Sequence, residues 1–196
     1  MQLILASSSR YRRAQLEQIG TQFEYVTPNY DEEANKDLTL TPQDLAVSLA
    51  LGKAESLRAS FPQAAILGGD QLVDFGGAIL GKPGSKTAAV DQLLAMSGKT
   101  HRLITSVCLL TPSKVYRHTD IAEMRMRDFN RAQLQAYVEA DNPIDCAGSY
   151  KLECAGIGLF EGIACDDFSS IQGLPLLTLS RWFAELGLSS SVFGQF

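Results

Sequence analysis

A serine-rich turn followed by three arginines is the first segment whose residue types suggest chemistry. The residues SSSRYRR, at positions 7–13, follow a short apolar run and precede a stretch of helical character. Helix N-termini are partly positive and bind anions, so arginines there repel the helix dipole unless a phosphate offsets the repulsion. The pattern predicts a phosphate site that includes Ser8, Arg12 and Arg13. The alternative is a serine cap followed by a solvated basic turn.

An aspartate after an apolar strand is the second candidate. Residues 64–69 are apolar and end in two glycines, and Asp70 follows them directly. In open α/β sheets, ligands bind at the carboxyl ends of the strands, and glycine allows a ligand or backbone to come close. Asp70 is therefore expected at a strand end, before a polar turn, as a general base or metal ligand. The alternative is a simple turn aspartate.

Two lysines could neutralise the charge of a phosphate. Lys82 lies in the sequence LGKP, between a flexible glycine and a rigid proline, where it could contact a phosphate as a point charge. Lys53 lies among apolar residues of a helical stretch. For Lys82 the alternative is an exposed turn lysine, and for Lys53 it is a side chain whose stem covers apolar surface.

A small, glycine-containing segment ends in an acid. Residues 145–153 have the sequence DCAGSYKLE, in which Glu153 is the last residue. Such a segment could form a wall that recognises a nucleotide base. The alternative is a tight loop with a glutamate on the surface.

The sequence lacks the motifs of several common enzyme classes. No G-x-x-x-x-G-K-[ST], H-E-x-x-H or G-x-S-x-G pattern occurs, and the two histidines, His101 and His118, have no partner nearby in the sequence. The chemistry must therefore depend on carboxylates, lysines and arginines. That combination favours Mg²⁺-dependent phosphate chemistry, because Mg²⁺ binds carboxylate oxygens, water and substrate phosphates.

Length and composition are those of an ordinary globular protein. The chain has 196 residues, 45% of them hydrophobic, and a net charge of −5, which disfavours a nucleic-acid backbone as a partner. No apolar run is long enough to span a membrane, and the N-terminus does not have the pattern of a signal peptide. The four cysteines form no C-x-x-C pair. We expect a cytoplasmic protein with reduced, mostly buried thiols.

The elements that must position these residues alternate between strands and helices. This alternation predicts an α/β fold with a mixed sheet and a cleft. Strands are predicted at 2–6, 23–26, 64–69, 71–75, 78–80, 101–110 and 114–127, with the 71–75 and 78–80 pair joined at two glycines. Helices are predicted from the serine turn to about residue 19, and at 42–60, 85–96, 130–140 and 175–186.

Taken together, these segments resemble the Maf family of nucleotide pyrophosphatases. The matching pieces occur in the order of the family and extend over residues 2–176; they are LILASSSRYRR, YDEE, ILGGDQLV, ILGKPGS, MSGKTHRLIT, CAGSYKLE and QGLPL. The resemblance implies a single Maf-like domain over residues 1–196. It would be an ITPase-like α/β fold with a mixed, twisted sheet, helices on both sides, and two lobes around a central cleft.

The resemblance also implies the reaction and its residues. Water would attack the α-phosphorus of a nucleoside triphosphate, and pyrophosphate would leave. A divalent cation, Mg²⁺ or Mn²⁺, would be bound by Glu32 and Asp70. The catalytic residues would be Asp70, Lys53 and Lys82, and the substrate would be bound by Ser8, Tyr11, Arg12, Arg13, Gln71 and Glu153.

Gln71 and Glu153 bear on the choice of base. Family members that act on dTTP and UTP typically have Thr and Gln near these positions, so the chain looks like the YceF-like branch, whose members hydrolyse 7-methyl-GTP. A carboxylate can accept hydrogen bonds from the N1–H and N2 amino group of guanine, and Tyr11 could stack on the cationic methylated ring. A dTTP or UTP pyrophosphatase and a non-catalytic regulator of septum formation stay open as alternatives, and so does a homodimer.

Overall fold

Seven strands form one mixed sheet, and five α-helices accompany it, in the computed structural model, which describes residues 1–188. The strands are β1 (Leu3–Ala6), β2 (Glu24–Val26), β3 (Ala65–Phe75), β4 (Ala78–Leu80), β5 (Thr100–Leu110), β6 (Val115–Met126) and β7 (Phe160–Ala164). The helices are α1 (Arg10–Gln18), α2 (Pro42–Glu55), α3 (Lys86–Met96), α4 (Arg131–Asp141) and α5 (Leu176–Glu185). This α/β architecture confirms the predicted fold class.

The order of the strands makes the sheet mixed. The main path is β2-β1-β3-β5-β6-β7, and β4 pairs with β3 outside it. Strand β1 pairs in parallel with β2 and β3, whereas the β3–β4 and β6–β7 pairs are antiparallel. Among the described residues, no helix is both long and apolar enough to cross a membrane.

The contacts within the chain define two compact units. Unit 1 contains residues 1–70 and 105–120 and the described residues from 167 onward, and unit 2 contains residues 71–104 and 121–166. Three of the four boundaries fall within β3, β5 and β6, and the fourth follows β7. The single domain with two lobes around a cleft, which the resemblance implies, stays a prediction.

In unit 1, helices cover both faces of β1. Successive side chains of a strand point to opposite faces, and here both sets are buried. Leu5 belongs to an apolar cluster with Leu16 of α1 and Phe183 of α5, whereas Ile4 belongs to a second cluster with Ala54 of α2. The short apolar strand is therefore the centre of a sandwich of helices in this unit.

Helix α2 begins as the sequence predicts but ends earlier. The side chain of Thr41 accepts a hydrogen bond from the backbone N–H of Asp44 at 3.1 Å, and proline occupies the first turn. The predicted continuation to residue 60 is wrong, because the helix ends at Glu55. Beyond it, the Arg58 guanidinium donates to the backbone carbonyls of Pro62 and Ala64, which stabilises a series of turns.

Strand β3 does not end at Asp70, so the predicted polar turn is wrong. The strand continues without interruption to Phe75, and Asp70 lies within it. The glycine two residues before Asp70 is needed for packing: a Cβ at Gly68 would lie 2.1 Å from the backbone oxygen of Ala50 in α2. The pattern Gly-Gly-Asp, typical of a turn, here allows a helix to lie close to a buried strand.

The cysteines differ from the prediction in their exposure. All four are free thiols, but only Cys108 is buried, whereas Cys146, Cys154 and Cys165 are partly or fully exposed. Burial raises the pKa of the Cys108 thiol to about 11. The prediction of mostly buried thiols is therefore wrong, because three of the four lie on or near the surface.

In unit 2, His101 is buried among aromatic side chains. Its Nε2 lies 3.1 Å from the Tyr150 hydroxyl, and its ring lies beside that of Phe160. The Nδ1 atom is buried without a hydrogen-bond partner among the described residues. Burial lowers the pKa of His101 to about 4, so the imidazole is neutral at physiological pH.

His101 should make the stability of the protein depend on pH. Because a histidine in an unfolded chain has a pKa of about 6.5, the unfolded chain binds a proton between pH 6.5 and 4 that the native protein does not bind. The free energy of unfolding should therefore fall by about 3 kcal/mol as the pH falls through this window. Urea unfolding at several pH values should show that His101→Phe reduces this slope, whereas His118→Gln should retain the contribution of His101.

Candidate active site

Lys53 holds together two carboxylates from different parts of unit 1. Its ammonium nitrogen lies 2.7 Å from Oδ1 of Asp70 in β3 and 3.0 Å from Oε1 of Glu32, in the loop before α2. The Lys53 side chain is only 7% exposed, so its charge is not solvated as a surface lysine would be. The alternative prediction, that the stem of Lys53 only covers apolar surface, is therefore wrong.

Asp70 is buried beside this lysine. Burial raises the pKa of the Asp70 carboxyl above its ordinary value, whereas the charge of Lys53 and its hydrogen bond lower it. Arg12 also favours the ionised carboxylate, and Glu32 disfavours it. Because burial outweighs the cations, the carboxyl takes up a proton more readily than a surface aspartate would, as suits a general base.

The three acids of the sequence YDEE have three different environments. The Asp31 side chain accepts a hydrogen bond from the backbone N–H of Ala34 at 3.0 Å, which forms a turn. Glu33 is 86% exposed and lies 3.8 Å from Lys36. Glu32 forms an ion pair with Lys53, and its role as a metal ligand stays a prediction.

The pair of Glu32 and Asp70 fits a divalent cation. Their oxygens share the single positive charge of Lys53, and from the two distances to Nζ they lie at most about 5.7 Å apart. Mg²⁺ in phosphate sites is typically bound by one or two carboxylates, with water and substrate oxygens as the other ligands. Within the described residues, no cluster of three or more acids, histidines or cysteines could hold a metal. The donor set therefore suits a cation that arrives with a phosphate.

Arg12 is engaged by backbone carbonyls of unit 1. Its Nη1 donates to the carbonyl oxygen of Gly69 at 2.8 Å, and its Nε donates to that of Gly173 at 3.1 Å. Burial lowers the pKa of Arg12, although the nearby Asp70 and Glu32 charges oppose this. Arg12 thus connects α1 to β3 and to the sequence QGLPL before α5. A role in binding substrate stays a prediction for it.

The other residues of the serine–arginine segment are more accessible. Ser9 is the cap of α1, since its hydroxyl accepts from the Arg12 N–H at 3.4 Å, and Ser8 is exposed. The Arg13 guanidinium lies 4.4 Å from the centre of the Tyr25 ring, and its Nε is buried with no hydrogen-bond partner among residues 1–188. Tyr11 accepts a hydrogen bond from Arg10 at 2.8 Å. The serine cap is thus present, and phosphate binding by Ser8 and Arg13 stays a prediction.

Alanine variants of the two arginines should separate structure from binding. Arg12→Ala should lower the melting temperature by several degrees, because each of two buried carbonyls that loses its donor costs about 1–3 kcal/mol. Arg13→Ala should leave the melting temperature nearly unchanged and weaken the binding of inorganic tripolyphosphate. Calorimetric titration and thermal melting of both variants test this. A sharp fall in stability for Arg13→Ala, with binding unchanged, would make Arg13 structural.

The remaining predicted site residues belong to unit 2. Gln71 is the next residue of β3 after Asp70 and is half-buried, while Lys82 and Glu153 are exposed. Their exposure leaves the Lys82 and Glu153 charges accessible to a ligand. The roles of all three in catalysis or base recognition stay predictions.

Gln92 of α3 joins the two loops that carry Lys82 and Glu153, a contact that sequence patterns did not indicate. Its amide nitrogen donates to the Gly81 carbonyl at 3.3 Å, and its amide oxygen accepts from the Ser149 hydroxyl at 2.6 Å. Ser149 has a positive φ of 65°, which is uncommon for a residue other than glycine. An amide that offers both a donor and an acceptor can stabilise this backbone, but such a bridge leaves no pattern in the sequence.

The described residues thus form a mixed α/β fold with a pair of carboxylates linked by a buried lysine. The family model described as Maf-like protein matches residues 2–186, and the chain belongs to this Maf family. The family predicted from the sequence is thus confirmed.

Several relatives are similar to this chain over nearly its full length. The chain is 49% identical over 180 residues to a protein of Bdellovibrio bacteriovorus, covering 92% of this chain and 94% of the relative. It is 40% identical to a protein of Xanthomonas axonopodis pv. citri, covering 94% and 96%, and 36% identical to one of Syntrophotalea carbinolica, covering 95% of each. All three relatives are named 7-methyl-GTP pyrophosphatase.

A solved structure is also similar, though remotely. It is a nucleoside-triphosphatase, or dITP/XTP pyrophosphatase, of Mycobacterium abscessus, with a TM-score of 0.41 and 17% identity. The match covers 64% of this chain and 73% of the other. This likeness is too low to support an argument about function.

Proposed function

We propose that this protein is a nucleoside triphosphate pyrophosphatase that hydrolyses 7-methyl-GTP to 7-methyl-GMP and pyrophosphate. The observation that carries the proposal is the buried Lys53 between Asp70 and Glu32, which gathers the charges that phosphate hydrolysis needs. The relatives named 7-methyl-GTP pyrophosphatase, at 36–49% identity, support both the reaction and the substrate. We also propose that the protein acts in the cytoplasm.

In the proposed reaction, a water oxygen forms a bond to the α-phosphorus. The bond from that phosphorus to the oxygen between the α- and β-phosphates breaks, and pyrophosphate leaves with the electron pair. Asp70 accepts the proton of the attacking water, because its burial makes it a stronger base than an exposed aspartate. Alternatively, Asp70 only binds the metal, and the water loses its proton elsewhere.

Positive charge is the other requirement of the reaction. Arg13, Lys53 and Lys82 would neutralise the triphosphate and the charge that develops in the transition state, which is usually the largest contribution to catalysis of phosphoryl transfer. A divalent cation held by Glu32 and Asp70 would add to this charge and polarise the phosphate oxygens. Lys53 contacts both carboxylates and so holds them close together before substrate binds.

The base would be selected by Gln71, Glu153 and Tyr11. A carboxylate at position 153 offers acceptors to the N1–H and N2 amino group of guanine and a negative charge to the methylated ring. A pyrimidine offers neither this pair of donors nor the ring charge. We therefore expect selection against dTTP and UTP to depend on Glu153, since a site that loses a matched polar partner discriminates poorly.

A panel of nucleoside triphosphates tests the proposal. Pyrophosphate release from 7-methyl-GTP, GTP, dTTP and UTP with Mg²⁺ or Mn²⁺ should give the highest kcat/KM for 7-methyl-GTP. In Glu153→Gln, the ratio of kcat/KM for 7-methyl-GTP over dTTP should fall at least about tenfold, which corresponds to about 1.4 kcal/mol. The matched control is Glu139→Gln, which changes another exposed glutamate of unit 2, paired with Lys86.

Each result of the panel has a clear meaning. A ratio that does not move in Glu153→Gln would show that this residue does not read the base. A preference for dTTP and UTP in the unaltered protein would favour the pyrimidine pyrophosphatase of the same family. No turnover of any nucleotide would favour a non-catalytic regulator.

A further inference from the structure

The ring of Tyr30 lies directly on the backbone of Gly52 in α2. A Cβ placed on Gly52 would be 2.4 Å from Cε2 and Cζ of Tyr30 and 2.5 Å from its hydroxyl oxygen. Atoms in real structures do not approach a Cβ so closely, so no side chain can stand at position 52 while the ring stays there. Because Gly52 has no side chain, it leaves the space that the Tyr30 ring occupies.

A glycine inside a helix, here in the last turn of α2, needs such a reason. Glycine is among the weakest helix formers, and alanine is the strongest. Position 52 lies inside α2 and directly precedes Lys53. The contact with Tyr30 explains why a helix that could be more stable with alanine has glycine at this place.

Tyr30 belongs to the same loop as Glu32. Several hydrogen bonds of this loop are local: the Asn35 side chain donates to the Asp31 backbone oxygen, and Thr39 donates to the Asp37 side chain. These local bonds shape the loop but do not attach it to α2. The Tyr30 ring and the ion pair from Glu32 to Lys53 both reach that helix, at adjacent positions.

We propose that Tyr30 is a positioning residue, which acts through the packing of its ring on Gly52. The ring holds the loop before α2 against that helix, so that Glu32 and Asp70 lie on either side of the Lys53 ammonium. The proposal rests on the proposed function in one respect, because it takes Glu32 as a ligand of the divalent cation. Glu32 is about half exposed, at 47%, and a carboxylate so accessible needs a fixed backbone to be presented as a ligand. The Tyr30 ring, packed on Gly52, fixes the backbone two residues before Glu32.

The electrostatics of Tyr30 agree with this position. Partial burial and the negative charges of Asp70, Glu32 and Glu55 raise the pKa of its phenol. The ring therefore lies within the field of both proposed metal ligands. Because the ring carbons Cε2 and Cζ lie at least as close to position 52 as the hydroxyl oxygen does, the packing of the ring does the positioning, and a phenylalanine should serve as well.

Binding of Mn²⁺ to the nucleotide-free protein tests the proposal by electron paramagnetic resonance. Gly52→Ala and Tyr30→Ala should each weaken Mn²⁺ binding about tenfold, toward the affinity of Glu32→Gln, as changes behind a metal ligand commonly do. Tyr30→Phe should keep the affinity of the unaltered protein. The double variant Gly52→Ala with Tyr30→Ala should bind no more weakly than Tyr30→Ala, because both changes remove one contact.

Thermal melting separates positioning from general damage to the fold. Gly52→Ala should have a melting temperature no lower than that of the unaltered protein, because alanine favours the helix. Unchanged Mn²⁺ affinity in Gly52→Ala and Tyr30→Ala, strictly additive losses in the double variant, or no Mn²⁺ binding by the unaltered protein would each overturn the proposal. If these affinities behave as expected but no pyrophosphate is released from any nucleotide, the proposed function fails and the positioning of Glu32 stands.

Discussion

Asp70→Asn should lower kcat for 7-methyl-GTP by about 10²- to 10⁴-fold, the usual contribution of a positioned general base. The amide cannot accept a proton from water, and it removes one of the two negative charges beside Lys53. The fold should survive, because asparagine has the same shape and β3 keeps its backbone bonds. Steady-state pyrophosphate release and thermal melting of the purified variant are the measurements.

The same strand offers a matched control in Asp74. This aspartate is also buried, but it forms an ion pair with Arg102 and accepts a hydrogen bond from the Gly77 N–H at 2.8 Å, where β3 turns into β4. Asp74→Asn should lower the melting temperature and retain most of the turnover. Near-normal turnover in Asp70→Asn, or equal losses in the two variants, would show that Asp70 is structural.

Lys53→Met should lower kcat by about 10²-fold or more, because a positive charge beside the transferred phosphoryl group is lost. It should also move the acid limb of the pH profile of kcat/KM upward by about 1–3 pH units. The sign follows from the ion pair: Lys53 stabilises the ionised carboxylate, so the pKa of Asp70 rises when the ammonium is removed. The base is then protonated, and inactive, up to a higher pH.

Lys151→Met is the control for the pH shift. Lys151 is as buried as Lys53, at 7% exposure, but its ammonium contacts the backbone oxygens of Asp141 and Asn142 at the end of α4, each at 2.9 Å. This variant should lose stability, because those carbonyls lose a donor, and its acid limb should stay in place. An acid limb that does not move in Lys53→Met would show that Asp70 is not the group whose ionisation limits the reaction.

The sequence predicted those elements whose signals are local. The cap of α2 at Thr41 and the hairpin at Gly76-Gly77 occur where the pattern placed them, and α3 begins within one residue of its predicted start. Each depends on residues within a few positions of one another, so a single sequence contains the whole signal.

The errors in the fold arise where distant parts of the chain determine the local structure. Asp70 lies inside a strand, where the charge of Lys53, which belongs to a helix 17 residues earlier in the chain, compensates its own. The short strand β7 was missed, since Phe160–Ala164 contains a glycine and has no alternating pattern, and its structure depends on pairing with β6. Pairing partners and buried ion pairs cannot be read from propensity.

In the candidate site, too, some features follow from local sequence signals and others from contacts between distant residues. Residue type and order pointed to Asp70 and Lys53, and the family resemblance added Glu32. The structure brings these three side chains together, and their roles stay predictions. The engagement of Arg12 by two carbonyls was not foreseeable, because its partners are 57 and 161 residues away in sequence. The packing of the Tyr30 ring on Gly52 could not be predicted for the same reason. A glycine in a helix does not indicate which side chain packs on it.

Hydrolysis of 7-methyl-GTP in water enriched in oxygen-18 tests the central claim most directly. Attack at the α-phosphorus predicts 7-methyl-GMP and pyrophosphate in equal amounts, with the heavy oxygen in the 7-methyl-GMP phosphate and none in the pyrophosphate. Mass spectrometry of the two products measures this. Heavy oxygen in pyrophosphate, or the release of 7-methyl-GDP and inorganic phosphate, would contradict the account.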